Sequence, residues 1–328
     1  MTGTVLVTGA TGFAGRHLLA ELAARGLTAV ATGYRGAAGE PGDPPGREGD
    51  PPSLDLRDAA ATRRLVRKVG PAAVVHLAGQ SSAGVPFASP RDTFEANVLG
   101  TWNLLAAVRD EAREARVLVI TSADLYGPSA PGAPHVETAP FRPVSPYGAS
   151  KAAQDLIAAL AAASYRLAVI RVRPFPHAGP GQRPTFALPA FAAQIAASER
   201  GAGEPVLRAG NLEVIRDYTD VRDVARAYAD LLARGEPGEA YNVCTGRGRK
   251  LGELVERLAA AARVPVRIEV DPARLRPADL PHLVGDPGKL AAATGFAPRI
   301  EIERTLADLL DEARARPAPA PAPARGAV

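Results

Sequence analysis

The chain has 328 residues, 46% hydrophobic and 23% charged, enough to bury a large core as one big domain or two closely joined ones. Its net charge of +4 comes from scattered arginines without a like-charge block, which argues against a nucleic-acid partner. The single cysteine, Cys244, excludes an intramolecular disulfide framework and a multi-cysteine metal site and is expected as a small buried residue.

The five histidines, His17, His76, His135, His177 and His282, lack metal-ligand spacing, so no metal is expected. Neither a signal peptide nor an apolar run long enough for a membrane is found, and a cytoplasmic protein is expected.

In chain order, TVLVT at 4–8 predicts a strand and 13–25 a helix; TAVAT at 28–32 follows as a strand. Residues 36–53 are too rich in Gly and Pro for regular structure. Helical periodicity returns at 58–69, then come the strand AAVVHLA (72–78), a helix at 92–114, the strand VLVIT (117–121), a helix at 150–164 and the strand LAVIRVR (167–173). Such alternation predicts βαβ units: an α/β, Rossmann-like, doubly wound parallel sheet. After about 174 the rhythm breaks, with helices at 186–199, 250–262 and 303–315 and a late strand at 241–244. The expected organisation is a dinucleotide-binding domain over 1–173, completed by about 215–245. A smaller C-terminal substrate-binding region would take 174–214 and 246–316, leaving a low-complexity Pro/Ala tail at 317–328.

The first strand runs into GATGFAG and then a helix, placing Gly9, Gly12 and Gly15 at a strand-to-helix turn. Glycines there let the backbone approach a pyrophosphate, and the helix N-terminus offers unpaired N–H groups. The spacing is G-x-x-G-x-x-G, a variant of the dinucleotide fingerprint. The second strand ends in ATGYRG, without the carboxylate that would hold the ribose hydroxyls of NAD(H). Arg35 can instead pair with a 2′-phosphate, favouring NADP(H), or stand as a solvated loop residue. Asp55, in the strand-like SLDL, is a candidate partner for the adenine amino group.

Tyr147 and Lys151 stand four apart at the start of a helix and share a face. A phenol is a poor acid–base catalyst at neutral pH, and an adjacent ammonium lowers its pKa. Ser122, just after the strand at 117–121, is the third member, its hydroxyl placed to hold a substrate oxygen.

The set VLVTGATGFAGRHL, HLAGQSS, TSADLYG and SPYGASK resembles extended short-chain dehydrogenases/reductases over essentially the whole chain. RPFPHAGPGQ, GNLEVIRDYTDVRDVARAY and RPADLPHLVGDPGKLAAATGFAP are similar to the GDP-4-keto-6-deoxy-D-mannose reductases within that group. The resemblance implies NADPH as hydride donor, a GDP-linked 4-keto sugar as substrate, GDP-D-rhamnose as product and a homodimer built on 92–114 and 150–164. It implies that Tyr147 protonates the C4 oxygen, that Lys151 tunes Tyr147 and binds the nicotinamide ribose, and that Ser122 holds the carbonyl. Thr11, Phe13, Leu56, Leu77, Ala78, Gly79 and Thr121 would complete the cofactor site. Gln80, Ser81, Asp124 and His177 would line the sugar pocket, with Arg216 and Arg276 on the diphosphate and Asp279 near the ribose.

Asp217, Asp220 and Asp223 read as caps and salt-bridge partners, and Trp102 and Tyr126 as core residues. One departure stands out: Pro176 occupies a position where the family usually has asparagine, so a substrate contact there is lost or taken over by His177. Two alternatives remain at this level: a sugar-nucleotide 4,6-dehydratase or 4-epimerase on the same scaffold, with Asp124 where dehydratases often carry glutamate, and a non-catalytic NADP(H)-binding protein.

Overall fold

A computed structural model describes residues 3–33, 52–80, 89–202, 204–275 and 279–316. The first half runs β1 (Val5–Thr8), α1 (Phe13–Ala24), β2 (Ala29–Thr32), α2 (Ala59–Val69), β3 (Ala73–His76) and α3 (Pro90–Phe94). A π-helical turn over Glu95–Leu99 leads into α4 (Gly100–Glu111), then β4 (Arg116–Ile120), α5 (Pro146–Tyr165) and β5 (Val169–Pro174). The second half holds β6 (His177–Ala178), α6 (Ala187–Glu199), β7 (Val206–Ala209), β8 (Ile215–Asp217), β9 (Thr219–Asp220), α7 (Val221–Arg234) and β10 (Ala240–Val243). It ends with β11 (Gly248–Lys250), α8 (Leu251–Ala260), β12 (Arg267–Val270), β13 (His282–Leu283), α9 (Gly288–Thr294) and α10 (Ile302–Ala315).

Six strands pair in the order β10-β5-β4-β3-β1-β2, all parallel. Alternate residues serve opposite faces, as a sheet covered on both sides requires. Val5 and Val7 join Leu18 and Leu22 of α1 and Val224 and Leu231 of α7, whereas Leu6 joins Leu104 and Val108 of α4 and Ala158 of α5. The register aligns Thr8 with Thr32 on one side and His76 on the other. The chain therefore leaves neighbouring strands at one level, and the segments after Thr8, His76 and Ile120 share the carboxyl edge where α/β sheets bind ligands.

A second core gathers Leu188, Phe191 and Ile195 of α6, Leu254 and Leu258 of α8, and Leu306 and Leu309 of α10, capped by Leu207 of β7. Leu290 of α9 and Phe296 pack instead in the core of the nucleotide half. Buried aspartates stitch the two parts. Asp220 caps α7 through the Arg222 N–H and accepts the Thr305 hydroxyl of α10, while Asp223 accepts the Arg299 and Ile300 N–H groups. Asp220 thus caps α7 and pairs with Arg222, and Asp223 pairs with Arg226, whereas Asp217 accepts the Thr245 and Gly246 N–H groups and the Thr245 hydroxyl instead of capping a helix.

Several local expectations need correction. SLDL forms no strand: Ser53 joins Gly33 through an isolated bridge. Helix α5 starts at Pro146 rather than 150, because Ser145 caps it by accepting the Gly148 N–H and proline suits the first helical position. Trp102 is not a core residue: it is 36% exposed on α4, near Leu99, because that face of α4 turns away from the sheet. Tyr126 and Cys244 are buried, as expected.

Candidate active site

At the carboxyl end of β1 the backbone turns through Gly9 at φ +71, where a Cβ would lie 2.6 Å from the Ala78 nitrogen. A Cβ on Gly15 would lie 2.6 Å from the Gly9 carbonyl oxygen, so the start of α1 presses directly on the turn. Gly12 is the N-cap of α1 and supplies no side-chain cap, which leaves first-turn N–H groups for an anion. A cradle of this shape fits a dinucleotide pyrophosphate. Thr11 lies against Gly33 at the end of β2. Asp55 is half exposed and held by Arg57, with an Arg57 guanidinium nitrogen 2.8 Å from its carboxylate, which pulls the Asp55 pKa down. Leu56 is buried in the core under α4, with its carbonyl accepting from Asn103. Thr121 is likewise buried, its hydroxyl donating to the Val172 carbonyl. Arg35, Ser81 and Arg276 lie outside the described residues.

Ser122 ends the strand segment and caps a 3₁₀ turn over Ala123–Leu125, its oxygen accepting the Asp124 N–H at 3.2 Å. A Cβ on Gly148 would sit 2.8 Å from the Asp124 carbonyl, so the first turn of α5 is pressed against this turn. That contact brings Tyr147 to Ser122, whose hydroxyl hydrogen-bonds the phenol. Burial, then the Asp124 carboxylate, push the phenol pKa above its ordinary value, and the Ser122 bond opposes them. The Lys151 ammonium lies 5.9 Å from the Tyr147 ring centre. It donates to the Ile120 carbonyl at 3.2 Å and to Gln154 Oε1 at 2.8 Å. Burial pushes its pKa down to about 7, with Asp124 acting the other way. Beside it, Gly79 would place a Cβ 3.6 Å from Lys151 Nζ.

Of the residues expected around the sugar, Gln80 donates its backbone N–H to Asn97 Oδ1 and accepts the Thr93 hydroxyl on its side chain. His177 stacks on Phe13 with ring centres 5.8 Å apart and planes at 5°, joining the start of α1 to the second half of the chain. Its Nδ1 lies 3.0 Å from the Phe175 carbonyl, so Nδ1 carries the proton and Nε2 keeps a lone pair. Burial lowers the His177 pKa and holds the ring neutral. Pro176 keeps only its carbonyl, which accepts the Thr219 N–H. Arg216 and Asp279 pair with each other at 2.8 Å, on and beside the small sheet β11-β8-β13.

The structure thus brings Ser122, Asp124, Tyr147 and Lys151 into one cluster, Gly9, Leu77 and Ala78 into a second, and Phe13 and His177 into a third contact. Sequence reasoning missed the polar residues beneath the lysine, Gln154, Thr101 and His76, all 0% exposed. Their signal was a histidine and a glutamine in otherwise apolar segments, AAVVHLA and SKAAQDLIAAL. Ala123 also escaped notice: beside Asp124, where a second acid could stand, the turn carries a buried methyl group.

The chain matches the family model described as GDP-mannose 4,6 dehydratase over residues 6–309. It is 36% identical to GDP-6-deoxy-D-mannose reductase of Pseudomonas aeruginosa, an alignment covering 96% of this chain and 99% of that protein. It is 30% identical to dTDP-glucose 4,6-dehydratase of Xanthomonas campestris, covering 94% and 92% of the two. Among solved structures, RMD from Pseudomonas aeruginosa complexed with NADPH superposes with TM-score 0.82 at 36% identity, covering 95% of this chain and 99% of that one. Thermus thermophilus UDP-glucose 4-epimerase complexed with NAD also gives TM-score 0.82, at 33% identity and 95% and 99% coverage. Matched by the family model over residues 6–309 and by a relative of 36% identity over nearly its whole length, the chain belongs to the GDP-mannose 4,6-dehydratase family of extended short-chain dehydrogenases/reductases.

Proposed function

We propose that this chain reduces the C4 ketone of a nucleotide-linked 4-keto-6-deoxy sugar, converting GDP-4-keto-6-deoxy-D-mannose to GDP-D-rhamnose with NADPH. NADPH, when bound, supplies the hydride that reaches C4. The Tyr147 phenol gives the proton to the C4 oxygen, Ser122 donates a hydrogen bond to that oxygen, and the Lys151 ammonium stabilises the phenolate left behind. A neutral phenol is the form a reductase needs before reaction, and burial and Asp124 both hold Tyr147 in it.

The observation that carries the reading is the turn after β4, taken with the likeness to GDP-6-deoxy-D-mannose reductase. A dehydratase must remove water across C5–C6 with a further acid–base pair, and Ala123 beside Asp124 supplies none. Both partners of the phenol chemistry are present, which disfavours a non-catalytic binding protein.

We assign the dinucleotide to residues 1–173, completed by about 215–245, and the sugar nucleotide to 174–214 and 246–316. Arg216, Asp279 and Arg276 would hold the diphosphate and ribose; guanidinium suits diphosphate because its planar fork donates two hydrogen bonds at once. Arg35 would hold the 2′-phosphate. No described helix is long and apolar enough to cross a membrane. The single buried thiol suits a reducing compartment, and a cytoplasmic location and a homodimer belong to the same proposal.

The test is NADPH absorbance with purified protein and GDP-4-keto-6-deoxy-D-mannose. Consumption matched by a GDP-deoxyhexose is the expected outcome. Conversion of GDP-mannose to a keto sugar without net loss of NADPH would replace the reductase by a dehydratase, because that enzyme regenerates its cofactor each turnover.

A further inference from the structure

Beneath Lys151 lies a chain of buried polar groups that the reaction as described does not use. Gln154 sits three residues on along α5 and is fully buried, as are Thr101 of α4 and His76 of β3. Gln154 Oε1 accepts from Lys151 Nζ at 2.8 Å, and Gln154 Nε2 donates to Thr101 Oγ1 at 2.8 Å. The Thr101 hydroxyl has one proton, which goes to the Asn97 carbonyl at 2.6 Å. Its oxygen must therefore accept from both remaining neighbours, Gln154 Nε2 and His76 Nε2, the latter at 2.8 Å. This assigns the His76 proton to Nε2, and the Thr8 hydroxyl donates to Nδ1 at 2.8 Å.

Donor and acceptor roles in this chain are thereby fixed. An amide flip of Gln154 would turn its NH₂ toward an ammonium and its oxygen toward a hydroxyl whose proton is already committed. The glutamine is a one-way acceptor for Lys151, anchored through Thr101 and His76 to Thr8, the residue before the glycine turn. In a dry interior each member of such a network depends on the others.

We propose that Gln154 is a positioning residue for Lys151: through the anchored hydrogen bond of its Oε1 it holds the ammonium charged and aimed beside Tyr147. The proposal rests on the reading of Lys151 as the cation that serves the Tyr147 acid. Among the described residues, the other titratable groups facing the ammonium are Tyr147 on α5, Asp124 on the turn after β4 and His76 on β3. His76 stays neutral, its pKa pushed down to about 3 by burial and then by Lys151 itself. Asp155, next to Gln154, is neutralised by Arg171 and Arg173 at 3.0 and 2.8 Å.

The chain contains four lysines, Lys68, Lys151, Lys250 and Lys289, so an NMR titration of the full chain with isotope-labelled lysine resolves Lys151 directly, with Lys151→Met for assignment. The wild-type midpoint is expected near the value of about 7 that burial imposes. Gln154→Met removes the acceptor and should move the midpoint to acid by about one unit; Gln154→Glu puts a carboxylate there and should move it to alkaline by at least about one unit. The fall of kcat/KM at rising pH should move with the midpoint in each variant, and Glu should recover at neutral pH part of the activity that Met loses. A purely structural glutamine would weaken both variants alike and shift neither midpoint, which would overturn the proposal. Should Gln154→Met not fold, the sign of the shift in Gln154→Glu decides alone. The titration needs no substrate. A wild type without reductase activity would sink the functional reading, and unchanged midpoints would sink the positioning role.

Discussion

A tyrosine phenol at neutral pH holds its proton and surrenders it only where the anion left behind is met by a cation and a hydrogen bond. In the reaction proposed above, Lys151 and Ser122 would supply both to Tyr147, whose protonated form burial and Asp124 favour. Tyr147→Phe removes the acid and little volume. The expected result is a fall in kcat of about 10²–10⁴-fold, the usual worth of a positioned acid, with NADPH affinity nearly unchanged. Steady-state rates with a fluorescence titration of NADPH check it, and substantial residual turnover would place the proton donor elsewhere. Lys151 adds a pH dependence. Its pKa is lowered to about 7, so in the free enzyme the ammonium is present below that value and lost above it. Reduction, read as kcat/KM, should therefore decline as pH rises through about 7, because the cation serving the phenolate disappears. These residues were legible in the sequence because four-residue spacing at a helix start and a serine after a strand are local patterns. Gln154, Thr101 and His76 were not, since their meaning comes from α4, α5 and β3 meeting in space.

The strand-to-helix turn after β1 is where element geometry and ligand binding are one problem. Gly9 combines a positive φ of +71 with a Cβ position 2.6 Å from the backbone nitrogen of Ala78, so any side chain meets both strain and a wall that cannot yield. Gly9→Ala should cost about 1–2 kcal/mol through its backbone conformation alone, before the clash. It should lower the melting temperature by several degrees and weaken NADPH binding more than tenfold; calorimetry and a binding titration on the same sample check this. An alanine variant with wild-type affinity would show that the turn does not carry the pyrophosphate. The elements of the first half were readable because their strands are short apolar runs and their helices are long. Helix α5 starting at Pro146 could have been placed from Ser145 and Pro146, the cap and first-position signals. The π-helical turn at Glu95–Leu99 leaves no trace in periodicity, and β6, β9 and β13, two residues each, are too short to show alternation. Helix α7 carries its own start signal in Asp220, which reads as a cap in the sequence, although the helix that follows it was not among the expected elements.

At the scale of the whole molecule the exposed apolar side chains are unevenly distributed. Phe94, Leu99 and Trp102 on α3, the π turn and α4 are 40%, 45% and 36% exposed, and Leu156 and Leu160 on α5 are 60% and 44% exposed. The two helices adjoin there, Trp102 meeting Tyr165 edge-on at 6.3 Å. Leucines four apart at such exposure gain nothing from their own chain, and contiguous apolar area of this kind marks an association surface. A second copy related by a two-fold axis would set the α4 and α5 pair against itself, forming a four-helix interface. A stable contact of that kind buries about 800 Å² per partner, which two helices can supply. Light scattering at micromolar concentration should report a dimer. The double variant Leu156→Glu with Leu160→Glu places carboxylates in that contact and should yield a monomer, with a melting temperature that no longer rises with protein concentration. The cluster around Tyr147 sits at the start of α5, and the leucines lie about two and a half and three and a half turns further along the same helix. Loss of the dimer should therefore lower stability more than it lowers kcat. A wild type that scatters as a monomer, or a double variant that still dimerises, would assign these leucines no such role.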